Sequence, residues 1–205
     1  LLKERIFHKN GITQKKYEYH YDNYIKKVEQ RINGSKEGLW TEWFVDGQKK
    51  SELRYKGDKK EGTWIFWNEK GDKISEKTFK KDTLNGLNTV FYPNAEKMIS
   101  ESFKKGKKNG LHTSWYTNKN KKQEGEYVLG LKEGKWTYWH NNGKIKEQGE
   151  YQNNLKTGAW ISRYDNGQKN DEGNYVAGEK DGKWIEWDLD GDVLYRTRWK
   201  KGIKK

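Results

Sequence analysis

A glycine recurs every 24 residues through most of this 205-residue chain, at Gly38, Gly62, Gly86, Gly110, Gly134, Gly158 and Gly182. No insertion breaks the spacing. A fixed period of about 20–50 residues marks a repeat architecture, in which each repeat buries its apolar face against its neighbours. With each of these glycines as position 1, position 3 is Trp40, Trp64, Asn88, His112, Trp136, Trp160 and Trp184. Position 4 is β-branched in every repeat, from Thr41 to Ile185. Position 6 is Trp43, Trp67, Phe91, Trp115, Trp139, Arg163 and Trp187, and position 18 is aromatic from Tyr55 to Trp199. All 11 Trp residues fall at positions 3, 6 or 18.

Aromatic and β-branched residues between Gly, Asn and Asp punctuate strands. Asp46-Gly47, Asn142-Gly143, Asn166-Gly167 and Asp190-Gly191 predict two-residue type I′ turns. Each repeat therefore reads as a β-hairpin, with strands over positions 2–8 and about 12–19. A Lys-, Gly- and Asn-rich turn leads to the next glycine. No helical period is present. The expected fold is all-β: an elongated single-sheet solenoid of about seven to eight 24-residue hairpins, without helices. Its repeats are 38–61, 62–85, 86–109, 110–133, 134–157, 158–181 and 182–205. Residues 14–37 form a diverged repeat whose turn reads about one residue longer, and residues 1–13 form part of another.

Composition fits a thin, aromatic-packed structure. Only 31% of residues are apolar, and half of these are aromatic. Disordered chains are poor in aromatics, so the polarity does not imply disorder. The absence of Cys removes disulfides and Cys-based metal sites, and no run of about 18 apolar residues suggests a membrane span. The net charge of +13 favours acidic partners.

Alternation along a strand sends positions 4 and 6 to one face and positions 3, 5 and 7 to the other. The uniform chemistry at 4 and 6 predicts the packed face. The variable face is then the candidate binding surface, through Phe44, Phe66, Tyr92, Tyr116, Tyr138, His140 and Tyr164. Gly125, Gly149 and Gly173 at position 16 lie either beneath a neighbouring aromatic or at a bulge. Turn lysines at equivalent positions predict a basic ridge, with Lys59, Lys60, Lys81, Lys105, Lys107 and Lys108 as its candidate contacts.

The pattern Gly-x-Trp-x-x-Trp/Phe-x-x-Asn/Asp-Gly-x-Lys…Glu-Gly-x-Tyr resembles the MORN repeat superfamily. More narrowly it resembles the bacterial MORN-2 variant, the YwqK-like antitoxin type. Trp136 to Tyr151 and Trp160 to Tyr175 carry the resemblance best. It implies a non-enzymatic β-hairpin array serving protein interaction or membrane-associated scaffolding. Asn88, His112, Ala95 and Lys119 depart from the pattern and single out the middle repeats as a kink or specialised site. Choline- and cell-wall-binding repeats are also aromatic hairpin arrays, but their consecutive aromatic run and spacing are missing here.

Nothing argues for catalysis. His8, His20, His112 and His140 lie in separate repeats, and Asp188–Asp192 reads as a hairpin turn because its Gly comes too early for a calcium loop. Recurring carboxylates such as Glu52, Glu76, Glu124 and Glu172 suit cross-strand pairing with lysines. No cofactor or metal is expected. The expected function is a non-enzymatic scaffold binding a protein partner. The alternative is an antitoxin-like module or a binder of glycan, cell wall or anionic lipid through the Trp/Tyr face and Lys ridge. Nucleic acid is disfavoured, and a monomer is favoured. The chain starts without Met in mid-pattern, which suggests loss of an upstream segment and a secreted or cell-envelope setting, with the cytoplasm as the alternative.

Overall fold

The computed structural model describes residues 4–9 and 13–205. Twenty strands form an open antiparallel sheet, and the described residues contain no helix. The N-terminal unit runs to Lys97 and also includes Phe103–Gly106, whereas the C-terminal unit holds Met98–Ser102 and Lys107–Lys205. Strands of the N-terminal unit are β1 (Glu4–Lys9), β2 (Thr13–Tyr19), β3 (Ile25–Ile32), β4 (Ser35–Lys36), β5 (Gly38–Trp43), β6 (Lys49–Lys56), β7 (Lys59–Lys60), β8 (Gly62–Trp67), β9 (Lys73–Lys80) and β10 (Thr83–Phe91). The division falls within β11 (Lys97–Lys104). The C-terminal unit continues with β12 (Lys107–Trp115), β13 (Lys121–Val128), β14 (Leu131–Trp139), β15 (Ile145–Gln152), β16 (Leu155–Arg163), β17 (Lys169–Val176), β18 (Glu179–Trp187), β19 (Val193–Lys200) and β20 (Ile203–Lys204). The ends of the partial repeat expected over residues 1–13 (residues 1–3 and 10–12) lie outside the described residues.

In β10, β12, β14, β16 and β18 the periodic glycine sits inside the strand, whereas Gly38 and Gly62 begin β5 and β8 just after the short β4 and β7. In β16, residues 158–160 stand opposite Gly149 alone, between the aligned pairs Gln148–Ile161 and Glu150–Thr157. The same bulge recurs between β13 and β14 and between β17 and β18. Gly158 has φ +64° and Gly182 +79°, left-handed values that cost a side-chain-bearing residue about 1–2 kcal/mol. That requirement explains the 24-residue glycine period. The strand itself begins three residues earlier, after a two-residue turn.

The turn types are also exchanged relative to expectation. The links between repeats are the type I′ turns, with both central residues at positive φ, as in Leu129 (+52°) and Gly130 (+95°). Within a hairpin, Phe44 N–H donates to Gln48 O (2.8 Å) and Gly47 N–H to Phe44 O (3.1 Å). Only Gly47 of that loop has positive φ, at +85°. This is a three-residue loop closed by a left-handed residue, and Lys50 is the extra residue beside it. Asp46 Oδ1 accepts the Gln48 N–H at 3.0 Å, and the position recurs as Asn or Asp except at Lys70, where Asn68 Oδ1 accepts from the loop instead. The turn at residues 20–24 has the same length, with His20 N–H donating to Tyr24 O (2.8 Å) and Asn23 in the glycine's place at φ +70°. Ala95 (+63°) and Lys119 (+72°) keep this loop without glycine, so the middle repeats are not kinked at their turns.

The core is a row of indoles. Trp40, Trp64, Trp136, Trp160 and Trp184 are buried, Trp136 completely. The expected assignment of faces is therefore corrected: position 3 is packed rather than free, while position 4 on the other face is buried as Thr41, Thr89 and Thr113 but half-buried as Ile161 and Ile185. Side-chain alternation separates two faces but does not say which one is covered. The bulge decides that by carrying each indole over the preceding strand. A Cβ on Gly149 would meet Trp160 Cδ2 at 2.2 Å, and Gly125 and Gly173 meet Trp136 and Trp184 in the same way. Both expectations for position 16 are realised: each glycine lies opposite the bulge and beneath the covering indole. Each buried Trp contributes at most about 4–6 kcal/mol by area.

Candidate functional site

The packed face is an aromatic ladder capped by the protein's own lysines. Tyr127, Trp136, Tyr151, Trp160, Tyr175 and Trp184 alternate with ring centroids 5.1–6.1 Å apart and interplanar angles of 80–85°. In the N-terminal unit, Trp40, Tyr55, Trp64 and Phe79 repeat the row at 5.1–5.2 Å. Each position-3 indole also donates to the carbonyl of position 17 in the preceding repeat, as from Trp160 Nε1 to Glu150 O at 3.0 Å. Lys132 Nζ lies 4.2 Å from the Trp136 ring centroid, and Lys156 and Lys180 lie 3.9 Å from those of Trp160 and Trp184. Lys36 and Lys60 take the same place over Trp40 and Trp64, at 4.8 and 4.7 Å. The cation a cage would recognise is thus supplied from within, at about 0.5–2 kcal/mol per contact.

Candidate residues from the sequence separate into two groups. Phe66 and Tyr138 join the ladder face. Phe66 lies 6.4 Å from Trp64, and Tyr138 stacks on Trp136 at 6.1 Å. Lys132 Nζ donates to the Tyr138 hydroxyl (2.8 Å), which lies 3.1 Å from the Tyr151 hydroxyl. Burial, then the bond with Tyr151, raises the Tyr138 phenol above its ordinary range. Burial also lowers the Lys132 ammonium, with Lys156 adding to the effect. The second group, at position 7, stands at the hairpin loops. The Tyr116 hydroxyl donates to Trp139 O (2.8 Å) and that of Tyr164 to Trp187 O (2.9 Å). His140 Nε2 is 2.8 Å from Arg163 O and so carries a proton. Phe44 and Tyr92 open the corresponding loops of their hairpins through N–H bonds to Gln48 O and Glu96 O, both 2.8 Å.

The lysine ridge is interrupted. Lys59, Lys81, Lys105 and Lys107 are exposed at turns, while Lys60 and Lys108 lie over rings. In the C-terminal unit the turn edge is largely aliphatic, with Val128, Leu129, Leu131, Leu155 and Val176 exposed. Leu129 is 64% exposed. Comparing positions 19–22 across the repeats would have revealed this change; counting lysines did not.

His112 replaces a ladder Trp and introduces a buried polar cluster. Its Nδ1 donates to Glu101 Oε1 (2.9 Å), and its Nε2 accepts from the Gln123 amide (2.9 Å). Lys108 Nζ is 2.5 Å from the same Glu101 oxygen. The ring stacks on Trp136 at 5.7 Å. The His112 hydrogen bond, followed by Lys108, lowers the Glu101 carboxyl to about 2 despite its burial.

On the opposite face of the C-terminal unit lies a groove of about 870 Å³. Ala159, Ile161, Ile185 and the backbones of Gly149 and Gly173 line it, with Lys135 and Lys183 among its charged members. Residues 132–153, which include one groove lysine and one ladder Trp, match the family described as a MORN repeat variant. This segment is a MORN repeat. The bulge, indole contact and capping lysine of the MORN repeat recur in the hairpins of Trp160 and Trp184. MORN repeats generally mediate protein or lipid interaction and are generally non-enzymatic. No curated protein matches the chain.

Proposed function

We propose that the chain is a non-enzymatic scaffold that binds a protein partner. The supporting observation is that its most conspicuous ligand-like chemistry is already used internally. The position-3 indoles are buried and hydrogen-bonded, their rings face the chain's own lysines, and Tyr116, His140 and Tyr164 at position 7 bind neighbouring loops. Sugars and quaternary ammonium groups require an open aromatic face, and here that face is filled. The groove side offers mixed apolar and charged chemistry that varies between repeats, as a protein interface does. Exposed Lys59, Lys81, Lys105 and Lys107 support a second reading, contact with an anionic lipid surface.

Affinity capture on the immobilised chain, at about 0.15 and 0.5 M salt, separates the two readings. The expected result is a stoichiometric protein complex that survives the higher salt. Exposed charges are screened within about a Debye length, so a lipid-only interaction is lost there. Binding that collapses with salt and is reproduced by anionic vesicles would overturn the protein-scaffold reading.

A further inference from the structure

The groove lies where a repeated surface device is replaced. At two junctions in the C-terminal unit, a lysine stands over the next repeat's position-6 Trp and pairs with a glutamate. Lys121 is 5.6 Å from Trp139 and 2.6 Å from Glu124; Lys169 is 5.1 Å from Trp187 and 2.9 Å from Glu172. Between these junctions the corresponding residues are Ile145, Gln148 and Arg163. Position 2 changes too, from Lys135 to Ala159 to Lys183. The lysine cover is removed, two flanking lysines remain, and the groove opens over Ala159.

Its two ends differ electrically. At one end Lys135 lies opposite Glu150 across the strand pair. At the other, Lys183 lies opposite Arg198, an unfavourable pairing of like charges. Nearby carboxylates are engaged elsewhere. Asp181 is 3.4 Å from Lys200 Nζ and accepts the Lys201 N–H, while Glu172 pairs with Lys169. Among the described residues, neither Lys183 nor Arg198 forms an ion pair. From Lys135 to Lys183 is four strand spacings, roughly 19 Å at ~4.8 Å each, which about six residues of extended peptide would span.

We infer that this groove takes an extended peptide segment of the protein partner, with an acidic end against Lys183 and Arg198 and small apolar side chains over Ala159, Ile161 and Ile185. The inference rests on the protein-scaffold reading and assigns its contact surface. A displayed library of random heptapeptides, selected on the full chain and on variants, tests it. Ala159→Trp fills the groove. Ala159→Leu is a milder filling by the residue found here as Leu39, Leu87 and Leu111, and circular dichroism checks the fold of both. The expected result is enrichment of peptides with Asp or Glu at one end and small apolar residues beyond. Their affinity should fall at least about tenfold on Ala159→Trp and less on Ala159→Leu, since a good anchor contact is worth 1.4 kcal/mol or more. Lys183→Glu with Arg198→Glu should transfer the preference to basic peptides. The assignment is overturned if no peptide distinguishes the wild type from folded Ala159→Trp, if enriched peptides lack acidic ends, or if only phosphatidylserine vesicles compete. A salt-stable partner still captured by Ala159→Trp would leave the scaffold reading intact and remove the groove from it.

Discussion

Glu101 and His112 replace the glycine and indole of the last three repeat boundaries as a polar pair, whereas Trp40 and Trp64 follow Glu29 and Leu53 at the same position. In the last three repeats the position-3 indole rests on the backbone of the preceding repeat's position-16 glycine. Glu101 stands where that glycine would be, and a smaller imidazole that can bond to it replaces the Trp. The Glu101 carboxyl is held at about 2, below its ordinary 4.5. A depressed folded-state value contributes stability that is fully present above about 4.5 and is lost as the pH falls toward 2. Acidification from about pH 5 to 2.5 should therefore cost up to about 3 kcal/mol through this group. Urea unfolding of wild type and Glu101→Gln checks this, because the variant should lack that part of the pH slope. Equal slopes would exclude Glu101 as its source.

At the scale of the hairpin, the functional packing unit crosses the repeat boundary. Position 16 of one repeat and position 3 of the next form it, as in Gly149 with Trp160. Converting Glu101 and His112 to that pair provides a direct check. Glu101→Gly alone leaves the His112 and Lys108 donors without their acceptor, and His112→Trp alone forces an indole against Glu101. Each should destabilise by about 1–3 kcal/mol. The double variant should recover at least about 1 kcal/mol relative to their sum in a double-mutant cycle. Additivity would show that the two positions are not coupled. The hairpin turns follow a similar lesson: Asn-Gly and Asp-Gly pairs suggested type I′ geometry, but strand bulging gives a longer loop, and the link between repeats takes the type I′ turn.

In the molecule as a whole, neighbouring strands in sequence are neighbours in the sheet, and this order repeats within each unit. Contacts limited to neighbours make damage local. Gly149→Ala places a methyl group 2.2 Å from Trp160 Cδ2, an overpacking that should cost about 1–3 kcal/mol. Hydrogen–deuterium exchange should accelerate in β14–β17 while β5–β9 keep their protection. Uniform acceleration would mean that the chain opens as one cooperative body. The edge chemistry also belongs to this scale. Lysines at the turns of the N-terminal unit give way to Val128, Leu129, Leu131 and Leu155 in the C-terminal unit.

The sequence by itself determined the hairpin array, the 24-residue repeat, the approximate strand positions and the recurrence of aromatics at positions 3, 6 and 18. These are properties of spacing: glycine with positive φ, aromatic and β-branched strands, and polar turns recur wherever the backbone needs them. The tertiary structure decided which face is covered and which residues remain available. Trp160 and Tyr138 share a parity with solvent-facing alternatives, and only the bulge shows the indole crossing onto Gly149. Likewise, Lys60 and Lys107 look alike in a lysine-rich turn, but one caps a ring and the other is exposed. The groove was hidden for the same reason: Ile145, Gln148, Ala159 and Arg163 are unremarkable along the chain and gain meaning only when the strands place them on one face.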